Sequence, residues 1–172
     1  MMRSSDKERN FIRDKILWLK RDMGITDLPK VYFVSNLLSK ERLLGLHLYG
    51  DCLVSLHKGE GWGLCPFEGG LAGNPVIATG WGGNTDFMSE DDSFLVKYME
   101  TFVGGMSTFN PWYLGTQKWA EPDLVHASEL MRYVFENKEE AAARGKKISD
   151  KIKNEFSWEK IADIIIKRLG EI

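Results

Sequence analysis

The stretch EGWGLCPFEGGLAGNPVIATGWGGNTDF, from Glu60 to Phe87, predicts a loop, a short helix and a strand in that order. The apolar run at 52–56 precedes it and is typical of a buried strand. We expect the helix to begin near Leu64 and to end at Gly73, because glycine suits a helix C-terminal cap. A strand, a helix and a second strand in succession indicate a parallel α/β sheet.

The loop between the first strand and the helix contains three glycines, Gly59, Gly61 and Gly63. Because glycine has no Cβ atom, the backbone of such a loop can approach a ligand closely. The unpaired N–H groups at the start of the helix face the carboxyl end of the strand, where open α/β sheets bind phosphates. The loop is therefore predicted to bind an anion.

Two glutamates, Glu60 and Glu68, lie in this segment. Their spacing places Glu60 on the loop and Glu68 about one turn inside the helix, over the same crevice. Carboxylates accept hydrogen bonds from paired hydroxyls, so two acids beside a phosphate site indicate a sugar and a ribose. The alternative is that Glu60 caps the helix and that Glu68 is a solvated helix residue.

The chain alternates helical and strand patterns, with further strands predicted at 31–34, 76–79 and 94–96. This order predicts a parallel, doubly wound sheet. The periodicity fails between Tyr98 and Pro122, where we expect a long loop, and such loops are uncommon unless they are functional or packed.

Composition agrees with one soluble α/β domain over residues 1–172, with a helical tail from about residue 123. The net charge of −2 argues against a nucleic-acid surface. The sequence shows neither an apolar run of membrane-spanning length nor a signal-peptide core, and its two cysteines, Cys52 and Cys65, are expected to be reduced thiols of a cytoplasmic protein. Two cysteines cannot form a four-ligand zinc site, and no metal site is predicted.

These motifs resemble the glutamate-x7-glutamate signature of retaining GT-B glycosyltransferases of the family-4 type, written EGFGL…E and then A-x-G-x-PVI. This chain has EGWGLCPFE, LAGNPVIATGWGGNTDF and, further on, QKWAEPD, which is similar to a tryptophan-containing motif of one bacterial branch. Trp62 stands where phenylalanine is commoner, and Gly69 and Gly70 replace an Ala-Met pair. Several ordered motifs over about seventy residues make the resemblance specific.

The resemblance implies the C-terminal, donor-binding half of a GT-B fold, which is a Rossmann-like parallel sheet with flanking helices. Glu60 resembles the catalytic acid that contacts donor-sugar hydroxyls, and Glu68 resembles the acid that chelates the ribose diol. The backbone of four loop residues would hold the sugar and the diphosphate: Gly61, Trp62, Gly63 and Leu64. The implied ligand is a UDP-, GDP- or ADP-sugar, used as a substrate without a separate cofactor.

Three further residues are expected to contact the donor. Ser35 and Asn36 follow the predicted strand at 31–34, where the family reads the base, although Ser-Asn is also ordinary turn chemistry. Asn84 follows a Gly-Gly pair after a strand, so both a substrate contact and a turn role are open.

Two residues and one segment near the motifs have two interpretations each. His57 either touches the donor or forms local hydrogen bonds. Lys58 either supplies positive charge to the site or is an ordinary surface lysine. The WAEP segment at 119–122 lines the acceptor side or packs at a helix start.

The family's opening strands, with the arginine and lysine that neutralise the donor diphosphate, have no match before Asp6. We therefore expect an N-terminal GT-B half, on another chain or on sequence not present here, and an inactive chain without it. Three functions stay open: the donor-binding part of a retaining glycosyltransferase, a non-catalytic nucleotide-sugar-binding module, and a GT-B-fold sugar-nucleotide epimerase. The intact set of donor residues favours the first.

Overall fold

The computed structural model describes residues 6–27, 29–34, 36–104 and 114–171. The chain divides into two compact units, Met1–Leu43 and Leu44–Ile172. Each unit is described by itself. Ser35 and the aromatic residues Trp112 and Tyr113 lie outside the described residues.

The first unit contains helix α1 (Asp6–Asp22) and the first residues of helix α2 (Lys40–Tyr49). Ser39 caps α2, because its hydroxyl accepts a hydrogen bond from the Arg42 amide at 3.4 Å. The strand predicted at 31–34 is wrong, since these residues have no regular structure and Tyr32 is 79% exposed. A strand needs a neighbour for its backbone groups, and no described segment pairs with this one.

The second unit is built on a three-stranded parallel sheet in the order β1 (Leu53–Ser55), β2 (Val76–Thr79) and β3 (Phe94–Val96). These strands lie where the apolar runs predicted them. The central strand β2 is buried along its whole length, because helices cover both faces of a parallel sheet.

Two apolar clusters lie on the two faces of this sheet, since successive side chains of β2 point in opposite directions. One cluster consists of Val76, Ala78, Phe87, Met88, Ile148 and Ile152. The other consists of Ile77, Phe94, Val96, Ala127, Val134 and Ala141. Both faces of the sheet are thereby buried.

Helix α3 (Leu64–Leu71) connects β1 to β2. Ala72 is its C-cap, and Gly73 follows in the left-handed region with φ 91°. The amide of Gly73 donates to the Gly70 carbonyl at 2.9 Å. The predicted end of this helix at Gly73 is thus confirmed as a glycine C-terminal motif.

The segment after β3 corrects the predicted long loop. Strands β4 (Tyr98–Phe102) and β5 (Lys118–Pro122) form an antiparallel pair in which Tyr98 lies opposite Pro122. The partners are distant in sequence, so local periodicity gave no signal for their pairing. We call this pair the hairpin.

Three helices complete the unit: α4 (Leu124–Glu136), α5 (Lys138–Glu155) and α6 (Trp158–Gly170). Asp123 caps α4 by accepting hydrogen bonds from the amides of Val125 and His126, both at 3.0 Å. Among the described helices, none is long and apolar enough to cross a membrane.

Candidate functional site

The loops that follow β1 and β2 are packed against each other at the carboxyl edge of the sheet. The Gly83 amide donates to the Glu60 carbonyl oxygen at 3.1 Å. A Cβ atom on Gly82 would lie 2.6 Å from that oxygen, and one on Gly83 would lie 2.0 Å from the Gly61 carbonyl oxygen. Only glycines allow this approach, so the Gly-Gly pair after β2 fixes the backbone around Glu60.

His57 forms a second link between the same two loops. Its Nε2 atom lies 2.9 Å from the Trp81 carbonyl oxygen, and its Nδ1 atom lies 3.1 Å from Ser55 Oγ. Because a carbonyl only accepts, Nε2 carries the proton and Nδ1 accepts from the Ser55 hydroxyl. Both ring nitrogens are occupied, which supports the local hydrogen-bonding role.

The start of α3 leaves backbone donors free of side-chain caps. Its N-cap is Gly63, in the left-handed region with φ 91°, and no side chain among the described residues caps the helix. The third helical residue is Pro66, which has no N–H, so the Leu64 and Cys65 amides are the first-turn donors. These two N–H groups and the helix dipole favour an anion at this end.

Gly63 is required by its surroundings as well as by its conformation. A Cβ atom there would lie 3.1 Å from Asn84 Cβ and 3.5 Å from Glu60 Cγ. The turn that opens the helix is therefore in contact with both loops. A larger residue would be strained in this conformation and crowded by Asn84.

Glu60 does not cap α3, because the N-cap position belongs to Gly63. One carboxylate oxygen of Glu60 lies 3.4 Å from the Trp62 amide, which donates to it. The Glu60 residue is half-buried, and the other oxygen has no hydrogen bond within the described residues. A ligand can thus engage this carboxylate while its loop stays in place.

Glu68 lies on the next turn of α3, with its side chain 43% exposed. Its Oε2 atom is 3.6 Å from Nε2 of the buried His47. The prediction that it is simply a solvated residue misses this neighbour. The partial exposure leaves the carboxylate accessible to a ligand.

The Cys65 thiol relates the two acids to each other. Burial raises its pKa, and the negative charges of Glu68 and Glu60 raise it further. Since both carboxylates act on one thiol in the first turn of α3, they share its neighbourhood. Glu60 lies on the loop that leads into α3 and Glu68 lies within that helix, so both acids belong to the segment around its start.

Trp62 points its side chain away from the loop surface into an aromatic cluster. Its ring centroid lies 5.4 Å from that of Phe87, 5.5 Å from that of Phe156 and 5.8 Å from that of Phe67. The ring therefore anchors the loop to the core. A contact between the Trp62 backbone and a ligand stays a prediction.

The two glycines after Glu68 bring α3 close to its neighbours. A Cβ atom on Gly69 would lie 2.7 Å from Leu53 Cδ1, and one on Gly70 would lie 3.0 Å from Ile148 Cδ1. Helix α3 thus packs closely on β1 and α5. This packing leaves little room for a larger side chain at either position.

Asn84 is fully buried at the end of β2. Its Nδ2 atom donates to the Thr79 carbonyl oxygen at 3.0 Å, and its backbone carbonyl accepts from the Met88 amide at 2.9 Å. Its Oδ1 atom has no partner within the described residues. The turn role is supported, and a substrate contact through Oδ1 stays a prediction.

The hairpin lies beside Lys58, which directly precedes the loop that contains Gly59, Gly61 and Gly63. Lys58 Nζ is 2.5 Å from Glu121 Oε2 and 4.9 Å from the centre of the Trp119 ring, while the Lys58 carbonyl accepts from the Ala120 amide at 2.8 Å. Lys58 is therefore neither a free cation nor an ordinary surface lysine. Sequence reasoning missed this contact, although Trp119 and Glu121 alternate as two residues on one strand face do.

A separate cavity lies elsewhere in the second unit. It has a volume of about 510 Å³ and is lined by Cys52, Pro75, Ile77, Met131 and Phe135 among others. Cys52 and Pro75 stand at the amino ends of β1 and β2, whereas open α/β sheets bind nucleotides at the carboxyl ends. We therefore place the candidate site at the Glu60 loop.

The predicted base contacts stay predictions. Ser35 lies outside the described residues, and Asn36 belongs to the first unit whereas Glu60 belongs to the second. Within the described residues, no cluster of His, Cys, Asp and Glu side chains is able to hold a metal ion.

Comparison with known proteins supports the fold. No protein-family model matches the sequence, and the search of curated proteins also finds no match. The structure is similar to that of sucrose-phosphate synthase from Thermosynechococcus elongatus, with a TM-score of 0.63 and 21% sequence identity. The similarity covers 92% of this chain and 34% of that chain. The fold is thus α/β with a parallel sheet and flanking helices, as in a GT-B glycosyltransferase domain.

Proposed function

We propose that this chain is the donor-binding part of a glycosyltransferase, which transfers a sugar from a nucleotide-sugar donor with retention of configuration. The observation that carries the proposal is the uncapped start of α3, with the half-buried Glu60 on the loop before it and the partly exposed Glu68 on the helix itself. A nucleoside diphosphate sugar has the matching groups in one molecule: an anionic diphosphate, a ribose diol and sugar hydroxyls.

Each group of the donor has a proposed partner. The diphosphate lies at the Leu64 and Cys65 amides, where the helix dipole favours negative charge. The ribose diol donates its hydroxyl protons to the Glu68 carboxylate, and the sugar hydroxyls donate to Glu60. As the bond between the sugar and the diphosphate breaks, the amides stabilise the negative charge that develops on the diphosphate. The proposal uses no metal ion for this step.

The acceptor side is proposed to come from an N-terminal GT-B half. The chain spans about a third of the length of the solved structure that it resembles. Retaining transfer requires donor and acceptor in one cleft, and proximity with orientation contributes roughly 7 to 11 kcal/mol to such reactions. We therefore expect the chain alone to bind the donor weakly and to transfer nothing.

A transfer assay tests the catalytic part of this proposal. The purified chain is incubated with radiolabelled UDP-, GDP- and ADP-sugars and mixed acceptors, with and without a cognate N-terminal half. We expect no product from the chain alone, product from the reconstituted pair, and loss of product with Glu60→Ala. Donor binding that never leads to transfer in the pair would instead favour the non-catalytic module, and conversion of the sugar itself would favour the epimerase.

A further inference from the structure

His47 has an unusual position in the last turn of α2. Its side chain is only 7% exposed, and its Nε2 atom has no hydrogen-bond partner within the described residues. The facing charged group is Glu68, whose Oε2 atom lies 3.6 Å from that nitrogen. This distance lies within ion-pair range but beyond a hydrogen bond, so a movement of about 0.6 Å would form one.

The backbone fixes this near contact from both sides. The His47 carbonyl oxygen accepts a hydrogen bond from the Asn74 side chain, and the Asn74 amide donates to the Gly69 carbonyl at 3.1 Å. Gly69 in turn packs against Leu53. The end of α2 and the end of α3 are thereby joined, and the ring faces Glu68 without depending on a flexible loop.

We infer that His47 is a positioning residue that holds the Glu68 carboxylate for the ribose diol. The inference rests on the proposed function, because it takes the ribose as the ligand of Glu68. Once that small movement has closed the distance, an N–H at Nε2 donates to one carboxylate oxygen and leaves the other oxygen for the diol. The half-exposed Glu68 side chain is thus kept in one orientation before the ligand arrives, which reduces the entropy lost on binding.

Two substitutions separate hydrogen bonding from packing. His47→Gln keeps an N–H donor near the position of Nε2, whereas His47→Leu fills similar space and donates nothing. We expect His47→Leu to weaken UDP binding by about tenfold, the scale of one hydrogen bond to a charged group, and His47→Gln to restore most of it. In a Glu68→Ala background, His47→Leu should have no further effect.

The ribose provides the readout that a merely structural role would not move. Affinities for UDP and for 2′,3′-dideoxy-UDP are measured by NMR titration in each variant. The ratio of the affinity for UDP to that for 2′,3′-dideoxy-UDP should fall towards one in His47→Leu and should be kept in His47→Gln. An unchanged preference in a folded His47→Leu protein, or an equal loss in both variants, would overturn the inference. Should His47→Leu fail to fold, His47→Met takes its place as the variant without a donor.

A measurement without ligand keeps this inference distinct from the proposed function. The ¹³C shift of the Glu68 side-chain carboxyl should change in His47→Leu and stay close to the wild-type value in His47→Gln. If wild-type protein binds no nucleotide, the proposed function and the ribose role both fail, while this shift still decides whether His47 holds Glu68. An unchanged shift with normal nucleotide binding overturns the positioning role alone.

Discussion

The Gly83 amide donates a hydrogen bond to the Glu60 carbonyl oxygen across 3.1 Å, and this contact makes the loops after β1 and β2 one structural element. Glu60 is therefore held by the loop after β2 as well as by the loop to which it belongs. His57 strengthens the same connection through Ser55 and Trp81. The shape of the site thus depends on residues that need not contact a ligand.

We predict that Gly83→Ala destabilises the protein by about 2 kcal/mol or more, because its Cβ would lie 2.0 Å from the Gly61 carbonyl oxygen. Chemical denaturation measures the free energy of unfolding. The matched control is Gly59→Ala, whose Cβ would meet nothing within 4 Å and which should change stability by about 0.5 kcal/mol or less. Equal stability of the two variants would show that the loops are not packed as described.

The Cys65 thiol reports on both carboxylates without any ligand. Glu60→Gln and Glu68→Gln each remove a negative charge that raises the pKa of this thiol, so the pKa should fall. At pH 8 more thiolate is then present, and alkylation of Cys65 by iodoacetamide should be faster in both variants. Cys52 reacts more slowly, since burial raises its pKa to about 11.

Mass spectrometry of peptides gives the two alkylation rates separately. Glu129→Gln, at an exposed position on α4, is the control and should leave the Cys65 rate unchanged. If either site variant leaves the rate at the wild-type value, that glutamate does not share the neighbourhood of Cys65.

Glu68→Ala should weaken nucleotide binding by about 1.5 to 3 kcal/mol if Glu68 binds the ribose diol, which is the scale of hydrogen bonds to a charged group. A 2′,3′-dideoxynucleotide should bind wild type and variant alike, because it lacks the diol. Calorimetry or NMR titration provides the affinities, with Glu129→Ala as the control. A variant that still prefers the ribose nucleotide would mean that another residue reads the diol.

Stability should fall in acid because of Asp92. Burial alone would raise the pKa of this carboxyl, but hydrogen bonds from Ser89 and Ser93 together with Lys151 hold it below the usual value of 3.8. A depressed pKa in the folded state contributes stability above the unfolded pKa, and this contribution is lost as pH falls through the folded value. Thermal melts of wild type should therefore decline below about pH 4 more steeply than those of Asp92→Asn. Parallel declines would exclude Asp92 as the cause.

The strands of the sheet could be predicted from sequence because each is a short, buried apolar run. The run at 31–34 is also short and apolar, but it forms no strand. An apolar sequence alone does not provide a second strand for its backbone to pair with. The hairpin was not predicted, because Thr101 and Trp119 pair across a long separation in sequence, which a local pattern does not reveal. Pairing is a property of the tertiary structure in both cases.

The candidate site divides in the same way. Residue type and spacing identified Glu60 and Glu68, because acids and glycines near a helix start have few common roles. The direction of the Trp62 ring could not be predicted, since a loop has no periodicity that distinguishes its two faces. His47 was missed because its proximity to Glu68 arises only when α2 and α3 come together.

A glycine of the loop offers a test in which the fold and the binding respond differently. A Cβ on Gly61 would meet nothing within 4 Å, so Gly61→Val should fold normally while its side chain occupies the space proposed for the donor. Gly59→Val has the same open surroundings and is the matched control. Neither glycine has a positive φ, so valine is not excluded by the backbone. We expect binding to be lost in Gly61→Val and kept in Gly59→Val.

The most direct test of nucleotide binding at the Glu60 loop and the start of α3 is a ¹H–¹⁵N NMR titration of the wild-type chain with UDP and GDP. The shifts are read at the amides of Gly61, Trp62, Gly63 and Leu64. Helix amides and two carboxylates, with Lys58 already paired with Glu121, predict a dissociation constant of about 1 mM. We expect saturable shifts concentrated at these amides. No shift at any of them with about 10 mM of either nucleotide, in a protein whose spectrum shows it to be folded, would contradict this expectation.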